Sequence, residues 1–370
     1  MAQETFVGLD VHRKIVVATA LDSEGRQLRQ EEFGPTRSEL TAFLESLPGT
    51  KHVALEACPM WPTHYDAAAS TGASVTLSNP VKTRLIAEAS LKSDRVDSEA
   101  LARLLRLDSL PTAFAPPPET RQLRSLVTDR TFYRRYWAAV ANHTYSFLIR
   151  HGVQYEERIL RHRRKRETLR QLHIPQVDRG LDTLAELEAR TKDLDRVVHS
   201  AWVESEEAQL LTTIPGIGEL TAVALVAFLC PIDRFHSSGQ VCSYVGLVPR
   251  SYQSADRQWH GKIKRDSNAL LRWLLVEASW RHRQRLRGGD VARTAGRVSR
   301  RRGVGKGSVA GAHKLLRIVY AILKERRAFR SHAPGATASV RSLRRPRTAA
   351  LECVRRASLG PSATDCLSAQ

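Results

Sequence analysis

Four carboxylates stand where they could do chemistry: Asp10 in Phe6-Val7-Gly8-Leu9-Asp10-Val11-His12, Glu56 in His52-Val53-Ala54-Leu55-Glu56-Ala57-Cys58, and the pair Asp94 and Asp97 in Lys92-Ser93-Asp94-Arg95-Val96-Asp97. Asp10 and Glu56 each close a short apolar run that reads as a buried strand. The i,i+3 spacing of Asp94 and Asp97 predicts a shared helix face with Cβ atoms roughly 5–6 Å apart. One such acid alone reads as a helix cap or a solvated charge. Four of them do not, because a strand end with a buried flank is a poor place for an idle carboxylate. If the three segments converge, they form a cage of hard oxygen ligands suited to Mg²⁺ or Mn²⁺. Ions held in that way activate a nucleophile and stabilise the leaving oxygen in phosphodiester chemistry.

Composition points to a polyanionic partner. Lys and Arg number 58 against 38 Asp and Glu, a net charge of +20 over 370 residues. A basic surface of that strength attracts nucleic acid. No segment approaches the roughly 20 apolar residues of a membrane span, and Met1-Ala2-Gln3-Glu4 lacks the features of a signal peptide, so neither membrane insertion nor export is expected. The five cysteines (Cys58, Cys230, Cys242, Cys353 and Cys366) form no CxxC pair or metal-ligand spacing. They fit reduced thiols in a cytoplasm, and the expected location is cytoplasmic and nucleoid-associated.

The elements that must position the acids come from local signals. Thr5–Val11, Ile15–Leu21 and Leu28–Phe33 read as three consecutive strands, with Asp22-Ser23-Glu24-Gly25 as a turn. Thr36-Arg37-Ser38-Glu39 matches a capping box and opens a helix through Leu47, stopped by Pro48-Gly49. His52–Leu55 reads as a fourth strand, Thr63–Ser70 as a helix and Ser74–Leu77 as a fifth strand. Three meandering strands followed by βαβ units describe an α/β, ribonuclease H-like domain. Prolines at 111, 116, 117 and 118 mark a linker. From Glu119 to about Trp202, apolar residues at helical spacing predict long helices, arranged as a coiled-coil hairpin broken near Ile174-Pro175. Arg161-His162-Arg163-Arg164-Lys165-Arg166 is a candidate phosphate-binding stripe or a solvated helix face. Ile214-Pro215-Gly216-Ile217-Gly218, ahead of an apolar helix over Leu220–Leu229, suits a helix-hairpin-helix element whose amides approach a phosphate, or a plain interhelical turn. An apolar helix is expected at Ala312–Leu323. Residues after about 330, with Arg344-Arg345-Pro346-Arg347, read as a disordered basic tail.

Taken together, these segments resemble the insertion-sequence transposases of family one hundred and ten, also called DEDD transposases or bridge-RNA-guided recombinases. The resemblance covers about residues 5–325. It rests on Gly-Leu-Asp at 8–10, Leu-Glu-Ala at 55–57, Lys-Ser-Asp-Arg-Val-Asp at 92–97 and Ile-Pro-Gly-Ile-Gly at 214–218. Arg234-Phe235 and Tyr244-Val245-Gly246-Leu247-Val248-Pro249-Arg250 complete it. It implies a RuvC-like metal-binding domain over 1–115, a helical coiled-coil region over 116–205, a mostly α-helical C-terminal transposase domain over 206–328 and a tail over 329–370. It further implies that Asp10, Glu56, Asp94 and Asp97 hold Mg²⁺ or Mn²⁺, and that Ser254 in Arg250-Ser251-Tyr252-Gln253-Ser254 is a nucleophile joined transiently to DNA. Ala255 follows it where the family usually has glycine, and Lys264-Arg265-Asp266-Ser267 stands where the family has Ser-Lys-Xaa-Gly. The implied partners are donor and target DNA, a noncoding bridge RNA that carries specificity, and further copies of the chain in a dimer or tetramer, with the complete site assembled from two subunits.

An alcohol is a poor nucleophile at neutral pH unless a base or metal activates it. Metal on the acids is the better candidate for Ser254, with His260 a weaker one, and Ser251, Ser237 and Ser238 are rival hydroxyls. Two other classes compete: a metal-dependent nuclease or junction resolvase that leaves Ser254 idle, and a non-catalytic RNA- or ATP-binding protein of the same fold. Sugar-kinase-like chemistry would need glycine-rich phosphate loops, and none follows Asp10 or Glu56.

Overall fold

Val7 and Leu9 are wholly buried in β1 (Glu4–Val11), so the two-residue period of a strand puts Gly8 and Asp10 on its other face. β1 pairs antiparallel with β2 (Val16–Leu21), which pairs antiparallel with β3 (Gln27–Phe33). On its other edge β1 runs parallel to β4 (Thr50–Glu56), and β4 runs parallel to β5 (Ser74–Ser78), giving the sheet order β3-β2-β1-β4-β5. This computed structural model describes residues 3–86, 94–254, 257–263 and 267–330, with the backbone alone described over 250–262. The chain divides into two compact units, Met1–Pro117 and a second that begins at Pro118. The first is a mixed α/β unit and the second is mostly helical, as expected; the mixed sheet is compatible with a RuvC-like domain.

Helices cover both faces of the sheet. On the Val7/Leu9 face lie α1 (Arg37–Glu45) and α2 (Trp61–Ser70), through Leu40, Phe43, Leu44, Ala67 and Ala68. The N-cap half of the capping box forms: the Thr36 Oγ1 accepts from the Glu39 amide at 3.3 Å, and the Thr36 hydroxyl donates to the Glu39 carboxylate. α1 stops two residues short of Leu47, since Pro48 disfavours the helical conformation of the residue before it. After α3 (Pro80–Ile86), α4 (Asp94–Arg106) lies on the opposite face, with Leu101 against Ala54 and Leu110. The proline-rich segment expected as a linker partly extends the sheet: the Ala113 amide donates to the Leu77 carbonyl at 2.7 Å, and Asn79 to that of Pro111 at 2.8 Å.

In the second unit, α5 (Pro118–Arg150) and α7 (Pro175–Glu204) form a long hairpin. Its contacts Thr144/Gly180, Trp137/Glu188 and Arg130/Asp195 step in opposite directions along the two helices, so they are antiparallel. The break expected near Ile174-Pro175 is there, but it begins earlier and spans 151–174. α5 ends at Arg150 before Gly152, whose φ of +66° favours glycine, and Pro175 opens α7, where its missing N–H costs nothing. Short helical turns at 159–161, α6 (Arg163–Glu167) and 168–172 fill the gap. The basic stripe expected at 161–166 is corrected at its last residue. Arg166 is fully buried, its Nη1 and Nη2 donating to Glu188 at 2.6 and 2.7 Å.

From Pro118 onward, the regions expected separately at 116–205 and 206–328 fall in this one unit. α8 (Glu206–Thr212) and α9 (Glu219–Leu229) flank the glycine turn, followed by α10 (Ser238–Val245), a two-stranded ribbon of β6 (Pro249–Ser254) and β7 (Arg257–Ile263), then α11 (Ala269–Arg285), α12 (Asp290–Arg302) and α13 (Val304–Glu325). One core joins the helices, including Leu211, Ile214, Leu225, Val245, Leu275, Leu315 and Val319. Phe329 still belongs to it: its amide donates to Thr213 and its ring meets His282 edge-on. Cys58, Cys230 and Cys242 are free thiols. No helix among the described residues is long and apolar enough to cross a membrane. Ala255, Lys264-Arg265-Asp266, Cys353, Cys366 and the tail from 331 onward lie outside the described residues.

Candidate functional site

Gly8 decides how close α4 comes to the sheet. A Cβ there would stand 2.0 Å from the Ser98 carbonyl oxygen and 2.6 Å from the Ala102 amide nitrogen, so α4 rests its backbone on β1. A polar chain pins the same turn: the Ser98 and Thr19 hydroxyls share a 2.8 Å hydrogen bond, and the Gln30 amide donates to Thr19 at 2.9 Å and to the Arg95 carbonyl at 3.3 Å. One turn earlier, α4 begins at Asp94. Two residues further along β1 stands Asp10.

The result is a group of Asp10, His12 and Asp94, each offering one ligand atom within 4.8 Å of the others. His12 Nε2 lies 3.0 Å from the Asp10 carboxylate and 3.4 Å from that of Asp94. Burial pushes the Asp10 carboxyl above its ordinary pKa, and the charges of Asp94 and Asp97 add to this while His12 works against it. For His12, burial opposes the charged form, but the hydrogen bond and charge of Asp10, followed by those of Asp94, outweigh it and raise its pKa. Excess negative charge in a half-buried place, carried by hard oxygens with one imidazole, is a donor set that fits Mg²⁺ or Mn²⁺.

Glu56 and Asp97 stand outside that close group. Glu56 lies one step beyond the Leu9–Leu55 pair of the parallel strands β1 and β4, which puts it level with Asp10 in register. It shares the α4-facing side of the sheet, two residues from Ala54, which packs against Leu101. Asp97 lies in the first turn of α4, near enough for its charge to act on Asp10. His12 was not among the sequence candidates. The signal was present: His12 follows Asp10 by two residues, just past the end of β1 at Val11.

In the second unit, Ser254 is the last residue of β6 and pairs with Arg257, the first of β7. The register sets His260 opposite Ser251, three places along the ribbon from Ser254. Ser237 caps α10, accepting from the Gln240 amide, and Ser238 is the first residue of that helix. Gly246 ends α10 with a φ of +76°, and a Cβ there would meet the Ser267 hydroxyl at 2.1 Å. In the turn between α8 and α9, Gly216 has a φ of +97° and its Cβ position is occupied by α11, 2.6 Å from the His282 amide, whereas Gly218 faces open space. Gly216 therefore serves packing. Only Gly218 leaves its surroundings clear for a ligand.

Residues 7–151 match the DEDD transposase family model of the IS110 group, and residues 208–293 match the model described as transposase IS116/IS110/IS902 family. The chain is 25% identical over 346 residues to the transposase for insertion sequence element IS1111A of Coxiella burnetii, covering 88% of this chain and 92% of that protein. It is 26% identical over 293 residues to the transposase for insertion sequence element IS1328 of Yersinia enterocolitica, covering 77% and 86%. A putative transposase of Sinorhizobium fredii, y4qE, is 26% identical over 293 residues, covering 76% and 72%.

Proposed function

From the premise that this chain belongs to the IS110/IS116/IS902 family of insertion-sequence transposases, we propose that it cleaves and rejoins DNA through a serine-linked intermediate. Asp10, Asp94, Glu56 and Asp97 hold divalent metal, and Ser254 is the nucleophile. The observation that carries the metal reading is the close group of Asp10, His12 and Asp94, built by seating α4 on Gly8.

The residues divide the work by charge and position. Asp10 and Asp94 supply the hard oxygens, and Glu56, level with Asp10 on the neighbouring strand, adds a third carboxylate from the same side of the sheet. His12 offsets part of the negative charge and holds a proton at Nε2 between two carboxylates when no cation is present. A divalent ion bound there would neutralise charge on a phosphate and ease deprotonation of an attacking hydroxyl. At Ser254, one phosphorus–oxygen bond forms to the serine oxygen as one strand bond breaks, so the joined end keeps a phosphodiester for resealing. Sequence choice is assigned to a noncoding bridge RNA, and the acting form is a homo-oligomer.

The test is a denaturing gel of protein incubated with Mg²⁺, guide RNA and labelled DNA. Wild type is expected to form an adduct that survives denaturation. Ser254→Ala should bind DNA and form none, and Asp10→Asn or Asp97→Asn should bind DNA without cleaving it. An adduct in Ser254→Ala, or one mapped to Ser251 or Tyr252, overturns the serine assignment. Cleavage by both Asn variants overturns the metal assignment.

A further inference from the structure

A groove of about 550 Å³ runs along α12 and is lined by Arg287, Arg293, Arg297, Arg300 and Lys314, with Asp290 as its acid. We propose that this groove grips the phosphate backbone of duplex DNA; the proposal rests on the transposase reading above.

The helix is built to present that face. Val291 and Ala295 are buried one turn apart, and Ser299 continues the same line. Against them pack Gly307 and Gly311 of α13. A Cβ at Gly307 would stand 1.9 Å from the Ser299 hydroxyl, and one at Gly311 would stand 3.2 Å from the Ala295 Cβ. Small residues on both sides bring the two helices close and hold α12 in one rotation. Arg293, Arg297 and Arg300 are left on the exposed side.

Charge accounting then favours an external anion. Asp290 is already engaged twice, by Arg293 and by Lys314 at 3.2 Å, and these partners hold its carboxyl below the usual range. Among the described residues, no carboxylate pairs with Arg287, Arg297 or Arg300. The floor between them carries Ala292, Thr294 and Gly296, which leaves room for a backbone to approach. At 1.5 Å rise per residue, Arg293 to Arg300 spans about 10 Å, the axial length of roughly three phosphates on one DNA strand. Guanidinium forks match phosphate oxygens, and the absence of aromatic side chains from the lining suits backbone contact better than base stacking. Such contacts position DNA without reading its sequence.

The test compares the full-length double variant Arg297→Gln/Arg300→Gln with wild type and with Arg37→Gln/Arg179→Gln, which removes the same charge from exposed sites elsewhere. Affinity for a random-sequence linear DNA duplex is measured by fluorescence anisotropy over a salt series, with an RNA duplex of the same sequence in parallel. Losing two phosphate contacts is expected to flatten the slope of log affinity against log salt by about 1.8 for DNA. The control pair should leave it unchanged. Equal slopes in the groove variant and wild type, or equal loss in the control pair, overturn the groove. So does a loss confined to RNA. If wild type still cleaves DNA in those cases, the transposase reading stands; if wild type binds no DNA at all, both fall.

Discussion

Gly8 and Ser98 touch through their backbones: a Cβ added to Gly8 of β1 would stand 2.0 Å from the Ser98 carbonyl oxygen of α4. That single approach brings the start of α4, with Asp94, beside Asp10. Gly8→Ala cannot be absorbed by a rotamer change, because the obstacle is main chain. It is expected to cost about 1–3 kcal/mol of stability by overpacking and to reduce cleavage further by displacing Asp94. Gly218→Ala, which meets nothing within 4 Å, should shift stability by only about 0.5 kcal/mol or less. Urea unfolding and strand-cleavage assays on both variants check this; a Gly8→Ala protein as stable and active as wild type would contradict it.

His12 owes its raised pKa to partners that outweigh its burial, Asp10 first and Asp94 second. Asp10→Asn removes the larger of these charges. The His12 imidazole in metal-free protein should then titrate at lower pH, as read from its ring-proton shifts by NMR. An unmoved or higher value would show that the 3.0 Å contact does not govern it.

Arg166 and Glu188 make a doubly hydrogen-bonded ion pair whose arginine end is buried. Glu188→Gln leaves the guanidinium charge inside without compensation and should destabilise the protein by about 3 kcal/mol. Arg164, exposed on α6, should tolerate Arg164→Ala within about 0.5 kcal/mol. Denaturant midpoints separate the two outcomes.

His282 is buried, and its Nδ1–H donates to the Pro215 carbonyl at 2.7 Å. Burial holds its pKa below the ordinary 6.5, the hydrogen bond opposing only in part; His313 is lowered by burial and by Arg317. The unfolded chain therefore takes up protons that the folded chain refuses. Their contribution to stability is full above about pH 6.5 and declines as pH falls below it. Unfolding midpoints between pH 8 and 5 should fall on the acid side, and His282→Asn should make that decline shallower. An identical pH slope in the variant would assign the effect elsewhere.

Strands, caps and stops were legible in the sequence because they depend on neighbours a few residues away. The alternation through Val7 and Leu9, the Thr36–Glu39 box and the Pro48 stop each act locally. The four acids were named from the sequence too, as was the transposase family whose models match residues 7–151 and 208–293. What only the tertiary structure decided was which groups meet. Asp10, His12 and Asp94 become one cluster because Gly8 has no Cβ and α4 can sit on bare backbone, a distance that no spacing in the chain encodes. The arginines divide for the same reason. Arg166 closes the basic run 161–166 and turns inward because Glu188, 22 residues away in sequence, waits on the antiparallel helix, whereas Arg297 stays outside because Val291 and Ala295 take the inner face of α12. Local chemistry sets each residue's options, and long-range packing selects among them.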